Sequence, residues 1–308
     1  MALKFNFNRP AGKELRRLLV ERLQLAAAEF DGETGSAQRR AQAVHKARKR
    51  LKESRALLRL VKGGRLSGRP VSEHNLKMRD LARLLSGQRD ADAMVEVTDR
   101  MVAEVSRHCA ERGDQHQQFK PLLTRLRRIL VNHRSQQTRG AGVNREQLDR
   151  IRTELIVLKE ELASGSEKQR YLDLIAAAIS GYRKAQTTIE QVHRQPSIDH
   201  THEMRKRVKD HWYQVRLFQP LSPKEMRQRR IDLEVLTEVL GDYQDLCVLR
   251  TWLVSGESSV LPAAELAQLL SFIGRRSWRL QQQALAKAEP LFSQKPTYWL
   301  LKWQEGLR

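Results

Sequence analysis

A helix-length phrase occurs twice in this 308-residue chain, 157 residues apart, and it limits the possible folds more than any other feature. The first copy, VHKARKRLKESRALLRL, runs from Val44 to Leu60, and the second, THEMRKRVKDHWYQVRL, runs from Thr201 to Leu217. Seven of the seventeen positions are identical, and six of those seven are His, Lys or Arg. Unrelated segments of this composition share roughly one or two positions. The chain is therefore built on an internal repeat, and the repeat has kept its charge better than its apolar positions.

At 3.6 residues per turn, His45, Arg48, Lys49, Lys52 and Arg59 fall on one side of the first copy. Val44, Ala47, Leu51 and Leu58 fall on the other. In the second copy His202, Arg205, Lys206, Lys209 and Arg216 line one side, opposite Thr201, Met204, Val208 and Val215. Arg55 belongs to the same basic run of the first copy. A merely solvated helix face usually mixes signs, because like charges three or four residues apart repel by a few tenths of a kcal/mol per pair. These faces are almost purely positive, which points to an anionic partner that offsets the repulsion.

The whole chain leans the same way. A formal net charge of +21 and a pI near 10.5 favour polyanions or anionic surfaces, without choosing among nucleic acid, lipid headgroups and inorganic phosphate polymers. With 40% hydrophobic residues the chain can bury one or two sizeable cores and is no disordered basic tail. Its two cysteines, Cys109 and Cys247, form no CxxC pair, so a reducing compartment is expected. No apolar run is long enough for a signal peptide or a membrane span. A cytoplasmic protein that inserts in no membrane is the expectation.

The apolar periodicity is helical nearly everywhere, and the expected fold class is all-α. The first helix follows Pro10 and Gly12; a second runs from about Gln38 to Lys62 and stops at Gly63 and Gly64. A third ends near Ser86 and Gly87, a fourth spans about Asp90 to Arg112, and others lie around Gln117 to Arg134 and Asn144 to Leu162. SGSE at 164–167 is the next break. The second half repeats the order: Leu172 precedes His202 by the same thirty residues that separate Leu15 from His45. Downstream, Met78, Leu81, Leu85 and Asp90 match Leu233, Leu236, Leu240 and Asp245 at an offset of 155. Helices at Ala263 to Ala288 and Pro296 to Leu307 finish the chain. The expectation is one domain of two pseudo-symmetric helical bundles, repeat halves 10–163 and 167–305, around a central basic cleft or pore.

A histidine followed by R-K-R-x-K on a long helix, repeated once, with LG-x-x-R-D-like segments after each copy, resembles the CHAD family, the conserved-histidine α-helical domain. The resemblance spans roughly residues 10–305 and is most specific at Val44 to Leu60 with Leu85 to Ala93, and at Thr201 to Leu217 with Leu240 to Leu249. It departs from the pattern at Ser86, where the first LG would have its glycine, and at Gln244, in place of the arginine before Asp245. The resemblance implies an all-helical protein whose His-bearing helices line a basic cleft, binding of inorganic polyphosphate, and association with intracellular polyphosphate granules. By position, His45, Arg48, Lys49 and Lys52, with His202, Arg205, Lys206 and Lys209, would be the contacts. The triphosphate-hydrolase domain attached to many members needs strands and acidic clusters that this sequence lacks, so no catalytic activity transfers.

The residues support that reading independently. Polyphosphate is a flexible string of anions without bases, so it calls for closely spaced cations rather than stacking platforms, and aromatics are only 6% of the chain. Arg127 and Arg128, and likewise Arg275 and Arg276, form smaller clusters that are either solvated faces or secondary phosphate contacts. Neither metal nor cofactor is expected: His200 and His202 are two apart and do not converge on a helix, and no paired-cysteine or HExxH arrangement occurs. Asp90, Asp92, Asp242 and Asp245 read as helix caps or arginine partners. The GGRLSGRP segment has Arg69 and Pro70 where a phosphate loop needs Lys and Ser or Thr. A non-enzymatic polyphosphate-binding module is thus the first expectation. A nucleic-acid or nucleoid binder, holding DNA non-specifically at low salt, is the second, and a phosphate-releasing or phosphotransfer enzyme the third.

Overall fold

The structure is a computed structural model that describes residues 3–32, 36–61, 63–85, 89–112, 118–141, 145–165, 168–255 and 261–307. The expected boundaries at Lys62, Ser86, Gly87, Gln117, Asn144 and residues 166–167 lie outside the described residues, as do the side chains of Cys109 and Arg112. The described residues form eleven α-helices: α1 Ala11–Ala28, α2 Ala37–Leu58, α3 Val71–Leu84, α4 Arg89–Arg112, α5 Phe119–Ala141, α6 Arg145–Ala163, α7 Tyr171–Arg194, α8 Ile198–Phe218, α9 Pro223–Val254, α10 Ala263–Leu291 and α11 Pro296–Glu305. The fold is all-α, as the periodicity predicts.

Each basic phrase lies on a helix that opens on a serine. The Ser36 hydroxyl accepts the Arg39 N–H of α2 at 3.4 Å, and the Ser197 hydroxyl accepts the His200 N–H of α8 at 3.1 Å. Both serines satisfy donors that a helix start leaves without partners. The apolar sides expected from the wheel are inside: Ala47, Leu51 and Leu58 of α2, and Thr201, Met204, Val208 and Val215 of α8, are all buried. Full burial of the Leu, Met and Val side chains among them contributes about 1.5–3 kcal/mol each, which ties both basic helices firmly to the core.

Between α2 and α3, where only a loop is expected, the chain makes a minimal hairpin, β1 Arg65–Leu66 against β2 Arg69–Pro70. Ser67 and Gly68 both take positive φ, 51° and 73°, the backbone twist that suits a two-residue hairpin turn. The buried His74 imidazole bonds the Leu66 carbonyl through Nε2 at 2.8 Å and pins the hairpin to α3.

Helix α1 packs on α2 and α6, and α7 packs on α8 and α11, while α4 pairs with α5 and α9 with α10. The residues ahead of α1 cross between the halves. The Phe5 N–H donates to the Leu217 carbonyl at 3.0 Å, and the Tyr171 hydroxyl bonds the carbonyls of Asn6 and Arg9. Phe5 also meets Tyr171 and Phe218 ring to ring.

Two hydrophobic cores result, and neither follows the repeat boundary. The larger joins α1, α2, α3, α6, α7, α8, α11, most of α9 and the end of α10. The smaller joins α4 and α5 to Leu246–Leu253 of α9 and the start of α10. Helix α9 has 32 residues, so it is about 48 Å long and reaches both. It replaces the pair α3 and α4 of the first half by one unbroken rod that passes through Gly241. Of the two readings of Asp242 and Asp245, caps or arginine partners, the second holds: they lie inside α9, and both pair with Arg100 of α4, at 3.2 and 3.0 Å. Asp90 and Asp92 do occupy the first turn of α4.

The core around α7, α8 and α9 encloses a histidine and an arginine. Arg229 Nη2 donates to His211 Nε2 at 3.1 Å, and the guanidinium lies over Trp299 at 4.4 Å. Burial pushes Arg229 down to about 10, and burial, then the Arg229 charge, holds His211 well below its ordinary 6.5. His211 stays neutral in the folded chain, whereas the unfolded chain takes up a proton near pH 6.5. Folding stability on account of this group is therefore lost as pH falls below about 6.5, by at most about 1.4 kcal/mol per pH unit. Urea midpoints measured between pH 7.5 and 5 should fall for the natural chain and fall less steeply for His211→Gln.

Candidate functional site

The two basic helices meet, and they meet through acids. Arg59, the C-cap of α2, pairs with Asp210 of α8 at 2.6 Å, and Arg216 of α8 reaches Glu53 of α2 at 3.3 Å. Glu53 and Asp210 are themselves 157 residues apart, as are Arg59 and Arg216. The acid of each copy thus holds the arginine of the other. Arg50 pairs with Glu53 at 3.2 Å on its own helix, and Arg207 stands 3.9 Å from Asp210 on its own. Glu53 is fully buried and also binds the fully buried Arg22 of α1 at 3.2 Å.

These crossed pairs were not foreseen from the helix wheel, which set Glu53 and Asp210 on a face away from the stripe. The signal was present, because the acid recurs at the same position of both copies amid cations. Burial raises the Asp210 carboxyl above its usual range, with Arg59, Arg207 and Arg55 pulling against that rise. Of the residues expected to meet phosphate, Arg59 and Arg216 are therefore held in ion pairs between the copies. Arg55 donates to Asn75 Oδ1 at 2.9 Å, and burial followed by the charge of Arg59 lowers its pKa. Arg48 donates to the Ala82 carbonyl at 2.8 Å.

The remaining cations lie toward solvent. His45, Lys49 and Lys52 of α2 and Lys206 of α8 are exposed, and Lys206 pairs with Glu203. Arg205 and His202 are half-buried, and His202 Nδ1 bonds Gln244 Oε1 at 2.7 Å. The residue that departs from the family pattern before Asp245 is thus the one that orients the second histidine. Accepting at Oε1 assigns the ring proton to Nδ1 and leaves Nε2 as the acceptor.

Lys209 is the most perturbed cation of the group. Burial first, then repulsion from Arg205, Arg216 and Lys49, pushes it down to about 8, against the pull of Glu234. Lys49, the smallest of these contributions, belongs to the other copy. The Lys209 ammonium stands 4.1 Å from the centre of the Trp212 ring, and the Arg216 guanidinium 4.7 Å from it. Spacings of three and four residues on α8 bring them together. The stripe is thus not free of aromatics, as composition suggested, but Trp212 is only 7% exposed and offers no open stacking face.

The smaller clusters sit elsewhere, around the second core. Arg127 pairs with Asp99 and Arg276 with Glu104, Arg275 donates to Ser271 Oγ at 2.7 Å, and Arg128 is exposed. No group of three or more His, Cys, Asp or Glu side chains among the described residues is arranged to hold a metal ion. No described helix is long and apolar enough to cross a membrane.

A profile of the CHAD domain matches residues 21–254, a stretch that contains both basic helices and the crossed pairs. The chain belongs to the CHAD family. The crystal structure of the CHAD domain from the plant Ricinus communis is similar to this CHAD domain with a TM-score of 0.55 at 15% identity, over 96% of each chain. At that identity the likeness is one of fold. No curated protein matched the sequence.

Removing the Glu53 carboxylate would leave Arg22 and Arg216 without their shared partner in the interior. Glu53→Gln should therefore cost this CHAD domain about 3–5 kcal/mol of stability in a urea titration. A loss below about 1 kcal/mol would show that the pairs are incidental. The position of Lys209 gives a second expectation. It is charged below about pH 8 and neutral above, so any affinity for anions that depends on it falls as pH rises through about 8. Anion binding followed from pH 7 to 9.5 should weaken in the natural chain and stay level in Lys209→Met.

Proposed function

We propose that this CHAD domain binds inorganic polyphosphate on the basic faces of α2 and α8, in a shared cleft, and does so without processing the polymer. The observation that carries the reading is the crossed pairing of Arg59 with Asp210 and of Arg216 with Glu53, which holds the two basic helices together. Like-charged helices held side by side gain when an anion neutralises them. A string of phosphates can answer several such cations at once. Lys49, Lys52, Lys206 and Lys209 supply mobile point charges, while Arg48 and Arg205 can fork onto two phosphate oxygens. His45 and His202 stand at matching places at the start of each stripe. Granule association follows on this reading, because a protein that grips the polymer collects where the polymer does.

Nucleic acid is the competing ligand, since a stripe this basic holds DNA at low salt by releasing counterions. The buried setting of Trp212 favours a ligand without bases on the stripe itself. At physiological salt, long-chain polyphosphate should displace DNA at far lower phosphate concentration than DNA needs to displace polyphosphate; the reverse order would sink the proposal. With Arg59 and Arg216 taken up by the ion pairs between the copies, the proposed contacts are Arg48, Lys49, Lys52, Arg205, Lys206 and Lys209. Six contacts give a slope of log affinity against log salt of about −4. Changing Lys49, Lys52, Lys206 and Lys209 to Glu should abolish binding with helix content unchanged by circular dichroism. Incubating the chain with polyphosphate and Mg²⁺ or Mn²⁺ should release no phosphate.

A further inference from the structure

A second concavity, of about 450 Å³, opens among α4, α5, α8 and α9, and polyphosphate binding leaves it without a use. Its lining includes Asp90, Met94, His133, Ile198, Gln244 and Trp252. The volume falls in the range of about 300–1,000 Å³ usual for small-molecule sites. Met94, Ile198 and Trp252 make apolar walls, and Asp90 adds a carboxylate, so a bare phosphate chain is disfavoured there on both counts. Trp252 is only 8% exposed, and its ring stands tilted to that of His133 with centres 5.2 Å apart, so two aromatic rings stand at the cavity wall.

The concavity is continuous with the basic stripe. Gln244 lines it and holds His202 through its carbonyl oxygen, which keeps the amide N–H₂ as a donor. Ile198 lines it too, and His202, Arg205 and Lys209 follow Ile198 at four, seven and eleven residues, along one face of α8. A ligand seated here needs a flat apolar body against the aromatic wall, a donor for Asp90, and a string of phosphates leading onto α8. A nucleobase carrying phosphates has all three.

We propose that this cavity takes the base of a nucleoside polyphosphate whose phosphates lie along α8, an assignment that rests on reading the α8 stripe as a phosphate-binding surface. The test compares ATP with inorganic tripolyphosphate, which has the same number of phosphates and no base, by calorimetric titration of the full chain. ATP should bind at least about tenfold tighter. Thr251 lines the cavity from an exposed position of α9, so Thr251→Trp can fill it without disturbing the core. That variant should bring ATP to the level of tripolyphosphate and leave tripolyphosphate unchanged; Trp252→Phe, which removes only the N–H and a ring, should move ATP the same way by a smaller factor. Lys209→Met should weaken both ligands alike. Equal affinities in the natural chain, or a preference for ATP that neither cavity variant reduces, would overturn the assignment while leaving the phosphate-binding surface standing. Binding of neither ligand, together with none of long polyphosphate, would remove the surface as well.

Discussion

The structure depends on a contradiction resolved at one contact. Two helices of the same strong positive charge lie against each other in a chain of net charge +21, and only local anions can make that arrangement stable. Glu53 and Asp210 are those anions. Each reaches across to the arginine of the opposite copy, so the contact between α2 and α8 is neutralised where it is buried and left positive where it is open. A buried ion pair rarely adds much stability over an apolar one, but it fixes which faces meet and in what register. The crossed pairs do that for the two stripes.

The same division of labour separates residues that looked alike. Arg48, Lys49, Lys52 and Arg59 form one stripe on a helix wheel, yet Arg59 is turned into the interface while Lys49 and Lys52 are exposed. In the second copy Lys209 lies over Trp212, half withdrawn from water, and Lys206 stands out in it. A basic face is thus graded from structural arginines at one end to solvated lysines at the other.

Much of this was legible in the residues. The repeat, the helical periodicity and the apolar sides of α2 and α8 follow from spacing, because a 3.6-residue period leaves little freedom about which side of a helix is buried. The family followed from the order of His, Arg and Lys. What could not be read were the contacts of long range. Nothing local says that Asp245 meets Arg100 across 145 residues, or that α9 continues where the first half breaks between α3 and α4. Helix ends were read from Asp and Gly signals, and Gly241 with Asp242 imitates such an end inside a rod whose packing overrides it. The inward turn of Glu53 was hidden for a different reason: on a wheel an acid among cations looks solvated, and its partners Arg22, Arg50 and Arg216 make burial tolerable.

The reciprocity of the crossed pairs has a consequence for how such a chain is put together. When position 53 of one copy meets 216 of the other, and 210 meets 59, the contact has the form that two identical subunits make about a two-fold axis, in which a residue touches its complement in both directions. A gene-level fusion of such subunits converts association into a tethered event, at an effective concentration set by the connecting segment instead of by abundance. Once tethered, the copies are released from having to match. The two copies differ accordingly: α9 runs unbroken where the first has α3 and α4, and His202 of the second is bonded to Gln244.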